Sequence, residues 1–279
     1  MKKINKDKFI EKIKDLCISV NYDLSKDVLA KIKESKSKET SDLGKNILSQ
    51  LIENAKIAKK DQAPLCQDTG FVVVFVELGR DIALDFDLQE ALDEGVRQGY
   101  KAGYLRNSIV KDPFNRENTK DNTPCIFYLK STAGDKLKVT ITPKGGGSEN
   151  MSALQMFTPA DGIEVVKDFV IQTVRNAGAN VCPPSIVGVG IGGTFEKCAL
   201  LAKEALLREL GSSNKDPFYD KLEKELLQEI NKLGIGPMGM GGNTTCLGVF
   251  IKPHPCHIAS LPVAVNMQCH SARHGEIIM

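Results

Sequence analysis

The sequence predicts an α/β mixed (α+β) fold, with helices packed around small mixed, largely antiparallel sheets, as a single domain over residues 1–279. Three observations carry this expectation. Segments of helical periodicity are interleaved with short β-branched runs. The composition, 42% hydrophobic and 26% charged, is that of an ordinary globular chain. Linker signals are weak, with no internal repeat and no low-complexity tract to divide the chain.

The elements follow in order. Residues 5–20 and 41–60 read as amphipathic helices, with Ile10, Ile13 and Leu16 on one face and lysines and acids on the other. FVVVFVEL, from Phe71 to Leu78, is β-branched and aromatic, so it predicts a strand buried on both faces. A helix is expected near 88–101, then a polar, Asn-rich segment through Pro124 that is too irregular for core structure. Residues 125–130 and 136–142 read as a hairpin around Ala133-Gly134-Asp135. A glycine triplet at 145–147 leads into an expected helix near 149–157, and another spans 161–177. A strand at 185–191, helices at 194–210 and 217–232, a glycine cluster at 234–242 and strands near 246–252 and 260–267 complete the pattern.

Charge and composition narrow the function. Thirty-seven basic against 35 acidic residues, net +2, predict no nucleic acid and no membrane surface as partner. No apolar run reaches membrane-spanning length, and the charged start MKKINKDKF lacks the apolar region of a signal peptide. The expected location is cytoplasmic, where eight cysteines are reduced thiols or metal ligands.

Three cysteines stand in unusual settings. Cys66 opens Cys-Gln-Asp-Thr-Gly, Cys182 opens Cys-Pro-Pro, and Cys269 closes HIASLPVAVNMQC. None belongs to a CxxC pair, which disfavours a zinc-stabilised module or a thioredoxin site. Single cysteines beside Gly and Pro suit a cluster held where distant loops converge. Three thiolates on a four-iron cluster leave one iron open for substrate. By spacing alone, Cys246 or Cys256 could replace Cys269. Cys17 and Cys198 fall in expected helices and Cys125 at a strand start, where Cys is usually a small buried apolar residue.

Other motifs have plainer readings beside their functional ones. GVGIGG at 188–193 matches G-x-G-x-x-G, but no second strand with an acidic end follows, so its glycines are read as a tight turn. Gly145–Gly147 beside Lys144 reads either as an anion site or as a flexible loop capped at Ser148. Arg106, with Arg116 nearby, is a candidate carboxylate binder on an irregular segment. All four histidines, His254, His257, His270 and His274, lie in the last 26 residues, and His257 is the one favoured for the site.

Taken together, CQDTG at 66–70, LRNSIV at 105–110, PKGGGSENMSAL at 143–154, CPPSIVGVGIGGT at 182–194, GGNTT at 241–245 and HIASLPVAVNMQC at 257–269 resemble one family. It is the iron–sulfur class I fumarate hydratase and L(+)-tartrate dehydratase family, matched at its alpha subunit from about residue 10 to 275. The resemblance implies a [4Fe-4S] cluster with three Cys ligands, Cys66, Cys182 and Cys269, and one open iron. The third assignment rests on the PVAV-x-x-x-C pattern, which matches only at Cys269. It implies substrate contacts from Gln67, Arg106 and Gly146, and catalytic roles for Asp68 and His257. His270 departs from the Trp that many relatives carry after the last cysteine, and the chain has no Trp. The length fits a free-standing alpha subunit, so a beta subunit is expected as partner, in an α2β2 heterotetramer, with the site shared between them.

The first reading is therefore a hydro-lyase interconverting (S)-malate and fumarate, a step of the tricarboxylic acid cycle. The alternative within the family is the alpha subunit of L(+)-tartrate dehydratase, acting on a dicarboxylate that differs by one hydroxyl. A rival of another class is a non-catalytic iron–sulfur scaffold or redox subunit, which would need a fourth protein ligand such as Cys246 or Cys256.

Overall fold

The computed structural model describes residues 1–279. A short strand β1 (Lys2–Lys3) precedes helix α1 (Lys6–Tyr22), where Asn5 caps the first turn by accepting the Lys8 N–H. Helices α2 (Lys26–Lys38) and α3 (Asp42–Asp61) follow, then strands β2 (Phe71–Gly79) and β3 (Ile82–Ala83). Helix α4 (Leu88–Ala102) begins after Asp87, whose carboxylate accepts the Glu90 N–H. An irregular stretch leads to β4 (Ile126–Thr132), β5 (Leu137–Lys144), the single turn α5 (Gly146–Glu149) and β6 (Ala153–Phe157). Then come α6 (Gly162–Ala177), β7 (Ser185–Gly192), α7 (Phe195–Ala205) and α8 (Pro217–Asn231). Strands β8 (Cys246–His254), β9 (Leu261–Gln268) and β10 (Gly275–Ile278) close the chain. The fold class is the mixed one expected, with no barrel.

These elements gather into two compact units. The first comprises Met1–Ser25, Asn54–Gly146 and Arg273–Met279. Its sheet runs β10-β5-β2-β4. Phe9, Ile13 and Cys17 of α1 and Leu92, Val96 and Tyr100 of α4 share a core with Val72, Val74 and Val76 of β2 and with Val139 and Ile141 of β5. On the other face Val73 is only 3% exposed and Phe71, Phe75 and Glu77 are half-buried, so β2 is sealed on one face and partly covered on the other. That central place also corrects the expected hairpin. β4 and β5 do not pair with each other; β4 runs parallel to β2 on one side and β5 antiparallel on the other. The most apolar strand takes the middle of the sheet, where burial removes most apolar area from water.

The second unit comprises Lys26–Glu53 and Gly147–Ala272. Its sheet runs β6-β9-β7-β8. Val187, Val189, Val263, Val265 and Met267 face a core shared with Val166, Val170 and Val174 of α6 and Leu222, Leu226 and Ile230 of α8. On the opposite face lies α7, with Cys198 and Ala202 packed on Ala264. There the GVGIGG glycines divide: Gly192 and Gly193, with φ +88° and +74°, make the turn that was expected, while Gly188 and Gly190 act within the strand. A Cβ on Gly188 would stand 2.1 Å from the Ala202 carbonyl oxygen, and one on Gly190 2.0 Å from that of Cys198. Bare backbone lets α7 lie directly on β7.

Two further expectations change. The helix near 149–157 is one turn followed by strand β6, which pairs antiparallel with β9 from Ala153↔Val265 to Phe157↔Leu261. A short apolar run such as ALQMF has no period long enough to choose between helix and strand, and an available strand neighbour decides it. Helix α2 was not expected at all. Only Val28 and Ile32 of its thirteen residues are buried, too thin a stripe to read as an amphipathic helix.

Candidate active site

In the first unit the loop from Cys66 to Gly70 joins α3 to β2 and is held from several sides. The Asp68 carboxylate spans it. Oδ1 accepts the Gly70 N–H at 2.9 Å and Oδ2 accepts the Gly146 N–H at 2.9 Å. Gly70 takes φ +79°, and a Cβ there would meet the Lys144 backbone N at 2.8 Å, so the loop and the end of β5 close up only around glycine. Thr69 Oγ1 donates to the Arg106 carbonyl at 3.0 Å, which fastens LRNSIV beside CQDTG. Asn122, fully buried, accepts the Ser108 N–H at 2.7 Å and donates to the Gly70 carbonyl at 3.2 Å. The irregular polar segment is thus an ordered brace.

Cys66 is half-buried. Its sulfur accepts the Asp68 N–H at 3.4 Å, and its thiol lies 3.3 Å from Gln67 Oε1. Gln67 and Arg106 are exposed. One loop thereby collects Cys66, Gln67, Asp68, Gly146 and the backbone of Arg106. The Gly146 N–H, expected to face substrate, is occupied by Asp68.

In the second unit Cys182 precedes β7 and Cys269 follows β9. These strands are antiparallel neighbours with Ile186 opposite Gln268, so both cysteines lie at one end of the sheet. Cys182 adopts a left-handed conformation (φ 55°, ψ 67°) and its carbonyl accepts the His270 N–H at 3.3 Å. Both are half-buried. At this end, Met238 also donates its N–H to the Pro183 carbonyl at 2.7 Å, bringing in the glycine cluster. The turn after Gly147 is tied to β9 as well. Glu149 accepts from Lys203 at 2.5 Å and from the Asn266 amide at 2.8 Å, while Ser152 Oγ accepts the Met267 N–H at 3.1 Å.

His257 is placed differently. It is exposed in the connection between β8 and β9, at the end of β9 away from Cys269. The eight-residue strand between them spans roughly 26 Å at about 3.3 Å per residue. Its Nδ1 accepts the Ala259 N–H at 3.1 Å, a local turn contact.

The remaining cysteines separate by burial. Cys246 is 3% exposed, donates to the Gly248 carbonyl at 3.2 Å, and burial pushes its thiol up to about 12. Burial pushes Cys17 up to about 12 as well and raises Cys125 and Cys198. Cys256 is exposed at the His257 end of the sheet.

Comparison with known proteins decides the family. The sequence profile of the family described as fumarate hydratase (Fumerase) matches residues 10–278. The chain belongs to this family. A Methanocaldococcus jannaschii protein provisionally named L(+)-tartrate dehydratase subunit alpha is 44% identical over 257 residues, covering 90% of each chain. The L(+)-tartrate dehydratase subunit alpha of Escherichia coli is 32% identical over 287 residues, covering all of this chain and 94% of its own. That of Shigella sonnei is 31% identical over the same length. As a fumarate hydratase family member the chain is a hydro-lyase. No helix of this Fumerase chain is long and apolar enough to cross a membrane.

Sequence reasoning missed two side chains that build this site. Glu39, at the end of α2, accepts the Asn243 and Thr244 N–H groups at 2.9 and 3.0 Å and so positions the GGNTT motif. Arg273 donates to the Asp68 carbonyl at 2.9 Å. Neither lies in a recognisable motif, and both act on residues far away in sequence.

Proposed function

We propose that the chain is the alpha subunit of a [4Fe-4S] hydro-lyase that dehydrates L(+)-tartrate. The observation that carries the substrate is the naming of relatives that cover nine-tenths or more of this chain. It favours tartrate over the malate–fumarate pair that the sequence put first; (S)-malate, with one hydroxyl fewer, is the second reading. The two compact units act as one hydro-lyase domain, and a beta subunit completes the site in an α2β2 assembly.

Cys66, Cys182 and Cys269 are the proposed ligands. The donor chemistry supports them: they are the three half-buried thiols, whereas four of the other five are buried with raised pKa. When bound, a three-cysteine cluster supplies a Lewis acid for the departing hydroxyl, which is a poor leaving group unaided. Arg106, exposed, offers a planar fork to one substrate carboxylate. Gln67, exposed in the CQDTG loop, offers a further polar contact.

Asp68 and Gly146 act as a coupled pair. At rest the Gly146 N–H holds Asp68 Oδ2. A substrate carboxylate that takes this N–H frees Asp68 Oδ2 to accept or return a proton, while Oδ1 stays fixed on the Gly70 N–H. Charge that builds on the carboxylate as the neighbouring C–H proton leaves then falls on a donor already in place. His257 is kept as the second proposed catalytic residue, exposed at the end of β9 away from Cys269.

The test is an anaerobic assay of the α–β complex on L(+)-tartrate and (S)-malate. A higher kcat/KM on tartrate is expected. A preference for malate restores the second reading, and turnover of neither overturns the proposal.

A further inference from the structure

Behind the Cys66–Gly70 loop lies a buried charge without a counter-ion. Arg273 is 3% exposed. Its Nη2 donates to the Asp68 carbonyl and its Nη1 to Asn21 Oδ1, both at 2.9 Å, and its Nε has no partner. Asn21 is itself fully buried and spends its amide N–H on the Cys17 carbonyl at 2.9 Å, which turns its oxygen to the guanidinium. Thr142 Oγ1 donates to the Arg273 carbonyl at 3.0 Å and fixes the backbone. Both acceptors of the guanidinium are neutral. Two other arginines of this chain meet carboxylates: Arg97 meets Asp121 at 3.0 Å and Arg208 meets Glu223 at 2.5 Å. The Asp68 carboxylate does not serve Arg273, because its oxygens are turned to Gly70 and Gly146.

A neutral donor would suffice for the hydrogen bonds. The same loop shows this at its next two carbonyls, where the Tyr100 hydroxyl donates to Thr69 at 2.6 Å and the Asn122 amide to Gly70 at 3.2 Å. Both of those side chains are as buried as Arg273. Only the Asp68 carbonyl is met by a full charge. Burying an unpaired guanidinium costs more than neutral hydrogen bonds give back, so the charge needs an anion to balance it.

We infer that Arg273 is a positioning residue that supplies the Cys66 loop with a fixed positive charge, balancing the negative charge the loop carries when its thiolate holds the cluster. This rests on the iron–sulfur reading given above. Arg273 touches the loop's backbone and not the reacting atoms, so it acts through Cys66 and Asp68. The charge, rather than the fork, is the essential property. A neutral replacement should leave the loop's carbonyl bonded but the thiolate-bound group short of its counter-charge.

The experiment uses the full chain, reconstituted anaerobically with iron and sulfide, as wild type, Arg273→Lys and Arg273→Gln. Two readings are taken: the rate of visible-absorbance loss in excess chelator, and the midpoint potential of the bound cluster. Arg273→Gln should lose its absorbance several-fold faster and show a more negative potential, because nearby positive charge favours an added electron. Arg273→Lys should stay close to wild type in both. Thermal melting of each apo chain reports whether it folds. If Arg273→Gln does not fold, the Arg273→Lys comparison still decides. Lysine failing like glutamine makes Arg273 a shape-specific tether, and equal values in all three chains remove its role; either overturns the inference. A wild-type chain that takes up no iron and sulfide overturns the cluster reading itself, and this inference with it.

Discussion

Burial divides the cysteines into the three proposed ligands and the rest. Cys66, Cys182 and Cys269 are half-buried, each beside backbone donors or turns, whereas Cys246 is sealed in the core and Cys256 sits at the opposite end of its sheet. Cys269→Ser should therefore abolish the visible sulfur-to-iron absorbance of the reconstituted chain, and Cys246→Ser and Cys256→Ser should keep it. An absorbance that survives loss of Cys269 but not of Cys256 would reassign the third ligand. Arg106 yields a second expectation. An ammonium cannot supply a guanidinium's planar fork, so Arg106→Lys should not rescue activity. Removing one side of a desolvated charge pair costs about 2–5 kcal/mol, so Arg106→Ala should lower kcat/KM by roughly one to four orders of magnitude with the cluster absorbance intact. Unchanged kinetics would reduce Arg106 to a solvated side chain. The proposed cysteines and Arg106 stand out in the sequence because each belongs to a motif. Arg273 does not, because a buried charge can be recognised only once its neighbours are known.

At the scale of elements, α2 matters through its last carboxylate. Glu39 is 3% exposed and accepts the N–H groups of Thr40, Ser41, Asn243 and Thr244 within 3.1 Å. Burial alone would push its carboxyl up, but the donors from Asn243, Ser41 and Thr244 outweigh it and hold the group below the usual carboxylate range. A folded-state value lowered below the unfolded one stabilises fully above the ordinary value of about 4.3, and that stabilisation is lost as pH falls through the lower folded value. Glu39→Ala leaves the buried Thr244 N–H and three part-buried N–H groups without an acceptor and should cost on the order of 2–4 kcal/mol at neutral pH. Melting temperatures of wild type and Glu39→Gln should converge as the pH is taken below about 4. A gap that persists in acid would show that the charge of Glu39 contributes nothing. The strands were readable by their apolar runs; α2 was not, since its contribution is a cap on distant backbone rather than an apolar stripe.

At the scale of the molecule, the hydro-lyase reading implies dependence on a partner and on an oxygen-free state. The isolated chain, even after anaerobic reconstitution, should show negligible turnover, and activity should appear on adding the beta subunit. An iron open to substrate is also open to dioxygen, so air should abolish activity. Iron(II) and reductant should restore it, because the three cysteines keep the remaining cluster in place. Robust, air-stable turnover by the chain alone would sink both the open-iron mechanism and the shared site.

The sequence by itself determined the family, the mixed fold class and the three candidate thiols. Six motifs in order and the alternation of apolar runs are local properties, carried by residues adjacent in the chain. Tertiary structure decided what depends on contacts between distant segments. It placed β2 between β4 and β5, because a central strand has both of its hydrogen-bonding edges paired. It turned ALQMF into a strand, because β9 offered an edge. It coupled Asp68 to the Gly146 N–H across 78 residues. It moved His257 to the end of β9 away from Cys269, although the two belong to one motif, because an extended strand carries its ends apart as surely as a turn brings them together.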